Sequence, residues 1–488
     1  MRGNILLLVP IILPIITGLI INKIDRKHVH KIISIVTILN LVLLFGISNL
    51  NESSLEILRI SSFLTIKLNI DNVSKVFTVL ASIIWILSTF YSFEYMKHEN
   101  NEERYFKYFL MTLGIIIGIG FSGNMFTFYL FYEFMTLITF PLVIHSMNED
   151  SMKAGIKYLL YSFSGAALVL IGIFFTYYFS SNPDFLPGGN LDLSRISGNE
   201  GIMLIVYILT FIGFGGKAGM FPLHAWLPTA HPVAPAPASG ILSGIITKAG
   251  VLGILRMTYY VYGANFIKGT WAQTTILLLT MFTIFMGSML AFRTKHLKER
   301  LAYSSVSQVS YVLFGLALLN MDGFIGSLLH MVFHALIKNI LFLSVGAIIY
   351  KTGKNYAQEI KGIGKSMPIV MWCFTLASLA LVGIPPLAGY ISKYYLGIGG
   401  LSHIDYNLGF AGTATLILSA LLTAGYLIPI FVDAFFPGQD FDYTTVRKIE
   451  PSKYMTIPLI VMTIAIVAFG MFPGVLVKFF NNIAVGLF

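Results

Sequence analysis

The sequence predicts an all-α polytopic membrane protein with about fourteen transmembrane helices, and three observations lead there. Of its 488 residues, 56% are hydrophobic and 11% charged, whereas soluble domains carry about 25% charged residues. Apolar stretches able to span a hydrocarbon core of ~30 Å recur from end to end. No polar linker divides the chain, as one would in a soluble protein of this length.

The segments are 4–22, 32–49, 73–95, 105–122, 124–145, 154–180, 202–225, 237–260, 271–292, 300–320, 323–350, 368–396, 408–433 and 455–477. The first could pass for a secretory signal, since Arg2 precedes an apolar run. The run is long, contains Pro10 and Pro14, and lacks a small-residue cleavage site, so it reads as a retained helix.

The net charge of +10 follows the topology. With residue 1 outside, the inward loops hold Lys23, Arg26, Lys27, Lys31, Lys97, Arg104, Lys107, Lys153, Lys157, Arg293, Lys295, Lys298, Arg300, Lys351, Lys354, Lys361, Lys365, Arg447, Lys448 and Lys453. The outward segments hold Arg2, Arg59, Lys67, Lys75, Arg195, Lys268 and Lys478. This imbalance is the positive-inside pattern and predicts both termini outside. The basic charge is therefore no nucleic-acid surface. The single cysteine, Cys373, allows no disulfide framework and no four-cysteine iron–sulfur site.

The longest outward loops are 50–72 and 181–201. Residues 64–70 alternate apolar and polar side chains and predict a short hairpin strand. The second loop, with Pro183, Pro187, Gly188 and Gly189, is turn material.

Two helices contain breaking sequences. The seventh has Gly215-Gly-Lys-Ala-Gly-Met-Phe-Pro222; the twelfth has Gly383-Ile-Pro385-Pro386-Leu-Ala-Gly389. Proline lacks the amide donor and clashes with the preceding turn, so Pro222, Pro385 and Pro386 predict breaks. Broken helices at membrane depth face protein or a wet cavity. Helices 4–8 and 9–13 form two five-helix blocks, each with its break in the fourth member, and an odd count inverts the second block. Matched interruptions in inverted halves point to a transport site. The expected organisation is 1–104 for helices 1–3, 105–260 and 271–436 for the two repeats, and 437–488 for helix 14.

Ionisable residues inside a membrane cost roughly 2.5–3.5 kcal/mol each at the bilayer centre. This chain places Glu133, Lys217, Lys248, His330, His334, Lys338 and Lys393 there. One acid can neutralise one lysine; the remaining lysines need hydration or other partners. Burial can move such groups toward neutral pH, and groups titrating there can pass protons on. His330, His334 and Lys338 recur every fourth residue and share one helix face, and histidine titrates nearest physiological pH. A histidine pair at this spacing can also bind zinc, but no third ligand lies nearby in sequence. Satisfied structural histidines are the other alternative. Arg256, near the outer end of helix 8, reads as a snorkelling side chain. The proline-rich loop from Phe221 to Pro237 has no Lys or Arg. Its His224 and His231 are candidates for an inward vestibule, the alternative being an inert connector.

Three blocks together carry a family resemblance. They are the stretch Lys217-Ala-Gly-Met-Phe-Pro-Leu-His-Ala-Trp-Leu-Pro with Gly244-Ile-Ile-Thr-Lys248, then His330-Met-Val-Phe-His-Ala-Leu-Ile-Lys338, then Gly383-Ile-Pro-Pro-Leu-Ala-Gly-Tyr-Ile-Ser-Lys393. With Leu301-Ala-Tyr-Ser-Ser-Val-Ser-Gln308, they resemble the antiporter-like membrane subunits of respiratory complex I, Mrp-type sodium/proton antiporters and membrane-bound hydrogenases. The resemblance covers roughly residues 70–435. It implies fourteen helices with inverted repeats, Glu133 and Lys217 as a modulating ion pair, and Lys248 as the central relay. His330, His334 and Lys338 would continue the path to an outward exit at Lys393. Two positions depart from the family pattern, Thr229 and His296-Leu-Lys298-Glu299, where acidic or Asp-Leu-Lys-Arg sequences are usual; both bear on proton uptake or subunit contacts.

The resulting expectation is a proton-translocating subunit of a multi-subunit pump, complex I-like or membrane hydrogenase-like, in a prokaryotic cell membrane. It would hold no cofactor or metal, work beside other membrane subunits, and draw on a peripheral arm carrying flavin or iron–sulfur clusters. The alternative is a subunit of an Mrp-type sodium/proton antiporter without a redox partner. An organic-solute transporter fits less well, since the polar groups form a serial, mostly basic row. A quinone-reducing enzyme lacks redox ligands.

Overall fold

The computed structural model describes residues 4–49, 53–61, 63–439, 441–442 and 446–488; Arg2 lies outside them. The protein is predominantly helical and integral to the membrane. Among the described residues, eleven helices are long and apolar enough to cross a bilayer. α1 (Val9–Ile20) and α2 (Arg26–Ser48) lead into an antiparallel hairpin of β1 (Ser54–Arg59) and β2 (Thr65–Asn69). Then follow α3 (Asn72–Tyr95), α4 (Glu102–Gly120), α5 (Met125–Val143), α6 (Glu149–Tyr178), α7 (Glu200–Ala218) and the short α8 (Leu227–Val233). Beyond these come α9 (Ala236–Tyr262), α10 (Trp271–Arg293), α11 (Leu297–Ala317), α12 (Met321–Thr352), α13 (Pro368–Val382), α14 (Ala388–Leu401), α15 (Tyr406–Phe435), α16 (Lys453–Met471) and α17 (Gly474–Val485).

The eleven fall short of the expected fourteen for visible reasons. The first turns of α4 hold Glu102, Glu103, Arg104 and Lys107, and α11 carries Ser304, Ser305, Ser307, Gln308 and Ser310. The segment expected at 368–396 is shared between α13 and α14, each short of a full span. The last expected segment, 455–477, is counted among the eleven through α16, which stops at Met471 before α17 restarts at Gly474. Pro473 between them cannot donate to a continuing helix.

Helix ends buried among other helices need partners for their free amides, and the sequence supplies them. Asp71, Asn124, Asn148, Thr270, Asn320 and Asp405 cap α3, α5, α6, α10, α12 and α15, each accepting an amide three residues on. Inside α1, Pro14 leaves the Pro10 carbonyl without a helical donor, and Asn40 of α2 donates to it at 2.8 Å. Small residues bring α6 and α7 together. A Cβ on Gly165 would stand 2.6 Å from the Gly213 carbonyl oxygen, and one on Gly213 would stand 2.5 Å from that of Gly165. At the centre lie α9, wholly buried, and α12, nearly so.

Candidate functional site

Lys217 lies one residue before the C-terminus of α7, which stops where Gly219 takes φ +89°. The ammonium donates to Thr136 Oγ1 at 2.9 Å, Tyr158 OH at 3.0 Å and Ser162 Oγ at 2.8 Å. It also stands 4.5 Å from the centre of the Tyr158 ring. Three acceptors match its three N–H donors. Glu133, one turn before Thr136 on α5, makes no ion pair with it. Glu133 is half-buried, and its Oε1 has no partner among the described residues. The direct partners of the ammonium are hydroxyl groups of α5 and α6. Beyond the end of α7, Trp226 Nε1 donates to the Gly216 carbonyl at 2.8 Å.

Lys248 follows a π-helical turn, Leu242–Ile246, within α9. Such turns widen the helix and free carbonyls, often at functional sites. Here the Ser243 carbonyl accepts from Lys248 Nζ at 2.6 Å and from the Thr247 hydroxyl at 2.8 Å. The same ammonium meets His334 Nδ1 of α12 at 2.7 Å.

From His334 the row continues along α12. The rings of His334 and His330 are 5.8 Å apart and nearly parallel. His330 Nδ1 contacts Ser392 Oγ at 2.9 Å, and that hydroxyl donates to the Gly389 carbonyl at 3.0 Å. With the serine's single proton so engaged, His330 Nδ1 is the donor of this pair. Nε2 of both histidines is buried without a partner among the described residues.

Lys393 closes the row. Its Nζ donates to the carbonyls of Leu381 and Val382, at 2.7 and 3.0 Å, where α13 ends. It also lies 5.1 Å from the centre of the Tyr311 ring, whose other neighbour is His330, stacked at 5.4 Å. Gly383 sits at φ +97°, and a Cβ there would stand 2.9 Å from Lys393 Cδ. Glycine is therefore required twice over, for the backbone angle and for the lysine's passage. Pro385 and Pro386 follow it and are exposed.

The remaining expected residues stand apart from this row. Lys338 turns to α11, donating to the Leu301 carbonyl at 2.9 Å and to Ser304 Oγ. His224 is half-buried. His231, expected at a vestibule, is fully enclosed instead; its ring stacks on Phe342 at 4.6 Å and neither nitrogen has a partner among the described residues. The proline-rich loop folds back into the protein there, so the ring faces the interior.

Arg256 corrects the snorkelling expectation. It is 2% exposed and grips Asp71 with both terminal nitrogens, Nη2 to Oδ1 at 2.8 Å, while also donating to Ser74 Oγ at 3.0 Å. Its guanidinium lies 4.5 Å from the centre of the Tyr260 ring. The sequence reading also missed Lys298. Assigned to the inward surface charge, it is buried and donates to the Ala234 carbonyl at 2.9 Å. Tyr311 and Ser392 were missed too, although each lies within or beside a quoted motif.

Residues 122–419 match the family described as NADH:quinone oxidoreductase/Mrp antiporter, TM, and residues 59–106 match the complex I chain 5 N-terminus. An NADH-quinone oxidoreductase subunit of Desulforudis audaxviator is 29% identical over 83% of this chain and 82% of its own length. Hydrogenase-4 component B of Escherichia coli is 30% identical over 76% of this chain, covering 56% of that longer protein. A Na(+)/H(+) antiporter subunit of Alkalihalophilus pseudofirmus is 24% identical over 94% of this chain and 93% of its own. Among solved structures, a chain of the Mrp complex from Dietzia sp. superposes with a TM-score of 0.85 at 18% identity, covering 99% of this chain and 97% of that one; at that identity the likeness speaks for the fold alone. The chain belongs to the family of antiporter-like membrane subunits shared by complex I, membrane hydrogenases and Mrp antiporters.

Proposed function

We propose that the chain moves protons as a subunit of a redox-driven pump, complex I-like or membrane hydrogenase-like. The observation that carries this reading is the row from Lys248, in contact with His334, past the neighbouring ring of His330 to Ser392, beside Lys393. Helices α9, α12 and α14 contribute to it, and Nε2 of each histidine, without a partner among the described residues, is left to take up water or a proton. In this reading Lys248 is the central relay, Lys338 a branch toward α11, and Lys393 the outward exit. Lys217, held by the Thr136, Tyr158 and Ser162 hydroxyls, and Glu133, through its charge, modulate the relay, and His224 and His231 lie on the inward side.

The reading also assigns the architecture. Residues 105–260 and 271–436 form two inverted five-helix repeats, interrupted at Pro222 and at Pro385-Pro386, flanked by 1–104 and 437–488. Helices α4 and α11 and the α13–α14 pair complete fourteen crossings, with both termini outside a prokaryotic cell membrane. Electrons stay on a peripheral arm with flavin or iron–sulfur clusters, and neighbouring membrane subunits complete the channel. The test is to isolate the assembled complex from its native membrane, identify the co-purifying chains, and measure proton ejection in vesicles with wild type and Lys248→Met. Ejection unaffected by the substitution would overturn the relay.

A second reading, a subunit of an Mrp-type sodium/proton antiporter, is supported by similarity to the Alkalihalophilus antiporter protein along nearly the whole of both chains. Co-purification with membrane chains only, and proton movement driven by a sodium gradient, would favour it.

A further inference from the structure

On the side of α12 opposite the histidines, α2, α3, α12, α16 and α17 enclose an apolar groove of about 570 Å³, a size typical of ligand sites. Phe45, Val79, Phe469 and Phe480 are among its walls. Its floor reaches Val332 and Leu336 of α12, which are 6% and 4% exposed. These two residues stand two positions from His330, His334 or Lys338, a turn of about 200°. The groove therefore backs directly onto the helix that carries the row.

One end of the groove is polar. Asn72 and Lys75 line it there and also line an adjoining cavity of about 280 Å³, to which Asp71 and Asn482 contribute. Lys75 is half-buried and forms no ion pair among the described residues. The nearest acid in sequence, Asp71, is held by Arg256. A lone cation at the mouth of an apolar slot has the form of a headgroup site above a chain site. A free phosphate would find no use for the slot, and a zwitterionic headgroup would bring its own cation toward Lys75.

We propose that this groove holds an anionic phospholipid, its phosphodiester on Lys75 and an acyl chain along Val79 toward Val332 and Leu336. The lipid buttresses α12 from behind. This assignment concerns binding and stands apart from the proton reading.

The test uses the assembled complex in vesicles containing photoactivatable phosphatidylglycerol or phosphatidylcholine with a chain-borne label, the crosslinks being mapped to peptides. The expected result is labelling within residues 72–83 and 465–480, with a preference for phosphatidylglycerol of about fivefold, the attraction of one lysine for anionic lipid. Lys75→Glu should abolish the preference and Lys75→Arg should keep it. Ala465→Phe, which fills the groove without touching the charge, should reduce labelling by both lipids; it serves as the second arm if Lys75→Glu fails to assemble. Equal labelling by the two lipids in wild type would mean annular lipid only and overturn the proposal. So would unchanged labelling in both Lys75→Glu and Ala465→Phe, or crosslinking of the groove to another polypeptide.

Discussion

Lys248 Nζ and His334 Nδ1 lie 2.7 Å apart on two helices that are almost entirely buried. One of the two nitrogens must be the donor, so a proton on either is shared with the other. Beyond His334 the next group is another imidazole, which also keeps a free nitrogen.

The first prediction tests that contact. Lys248→Met keeps the apolar stem and removes the shared proton. His334→Gln keeps a polar side chain and removes the titratable ring. Each should lower proton ejection per turnover by at least about tenfold, equivalent to ~1.4 kcal/mol on the barrier, with assembly unchanged. Vesicles with matched amounts of complex, read by a pH-sensitive dye, provide the measurement. Normal ejection in both variants would place the pair among structural contacts.

The second concerns the hydroxyl cage of Lys217. Thr136→Val is nearly isosteric and removes one of three acceptors from a buried ammonium. Hydrogen bonds to charged groups are worth ~1.5–3 kcal/mol, so thermal stability of the complex should fall measurably. Glu133→Gln touches none of those bonds. It should leave stability near wild type yet depress ejection through the lost charge. Equal destabilisation by both variants would show that Glu133 supports the fold rather than modulating the relay.

What was legible in the sequence was whatever a single helix displays. His330, His334 and Lys338 announce themselves by their spacing, and Gly383 and Pro385-Pro386 by their chemistry. The partners come from other helices and leave no local trace. Tyr158 and Ser162 on α6 look like ordinary polar residues until Lys217 is placed between them. Arg256 read as a snorkelling end because its acid, Asp71, is 185 positions away in sequence. Lys298 counted toward topology because a charge tally cannot tell a surface lysine from one folded under a proline-rich loop.

The third prediction follows from Arg256. Asp71→Asn should retain the cap on α3 while leaving the guanidinium buried without its counter-charge. Breaking one side of a buried pair costs roughly 3–5 kcal/mol. The expected outcome is a large drop in thermal stability, with partial recovery in Asp71→Asn/Arg256→Gln. A single variant as stable as wild type would mean that water already screens the pair.

The fourth concerns the loop before α16. One oxygen of Glu450 accepts the Ile369 amide at 2.5 Å, and the other is buried without a partner among the described residues. Burial pushes this carboxyl above the usual glutamate range, against the opposing pull of the Ile369 and Val370 amides. A raised folded pKa means that the folded state binds more protons than the unfolded one in the window above the ordinary value. Stability should therefore be greatest below that value and decline as pH rises through the raised one. Glu450→Gln should flatten this part of the profile in melting curves recorded from about pH 4.5 upward, near the ordinary glutamate value. A wild-type slope retained in the variant would assign the dependence to another group.

The fifth separates a relay from a set of buried charges. Lys393 donates to two carbonyls at the end of α13, so a structural account is available: the ammonium satisfies acceptors that the helix end leaves free. Lys393→Met should then cost stability, because two carbonyls lose their donor, offset by removal of a charge worth roughly 2.5–3.5 kcal/mol to insert. The two effects are of similar size, and assembly should change little. A relay adds a second requirement that the structural account lacks. The lysine lies beside the Tyr311 ring on which His330 stacks, so removing its amine should strand protons at the histidines. Ejection should fall sharply while the assembled amount stays level. Gly383→Ala gives an independent check, since it keeps the amine but crowds its stem. It should impair ejection less than Lys393→Met and destabilise more, as an alanine at positive φ costs about 1–3 kcal/mol. Undiminished ejection in Lys393→Met would leave Lys393 a helix-end donor and move the outward exit elsewhere.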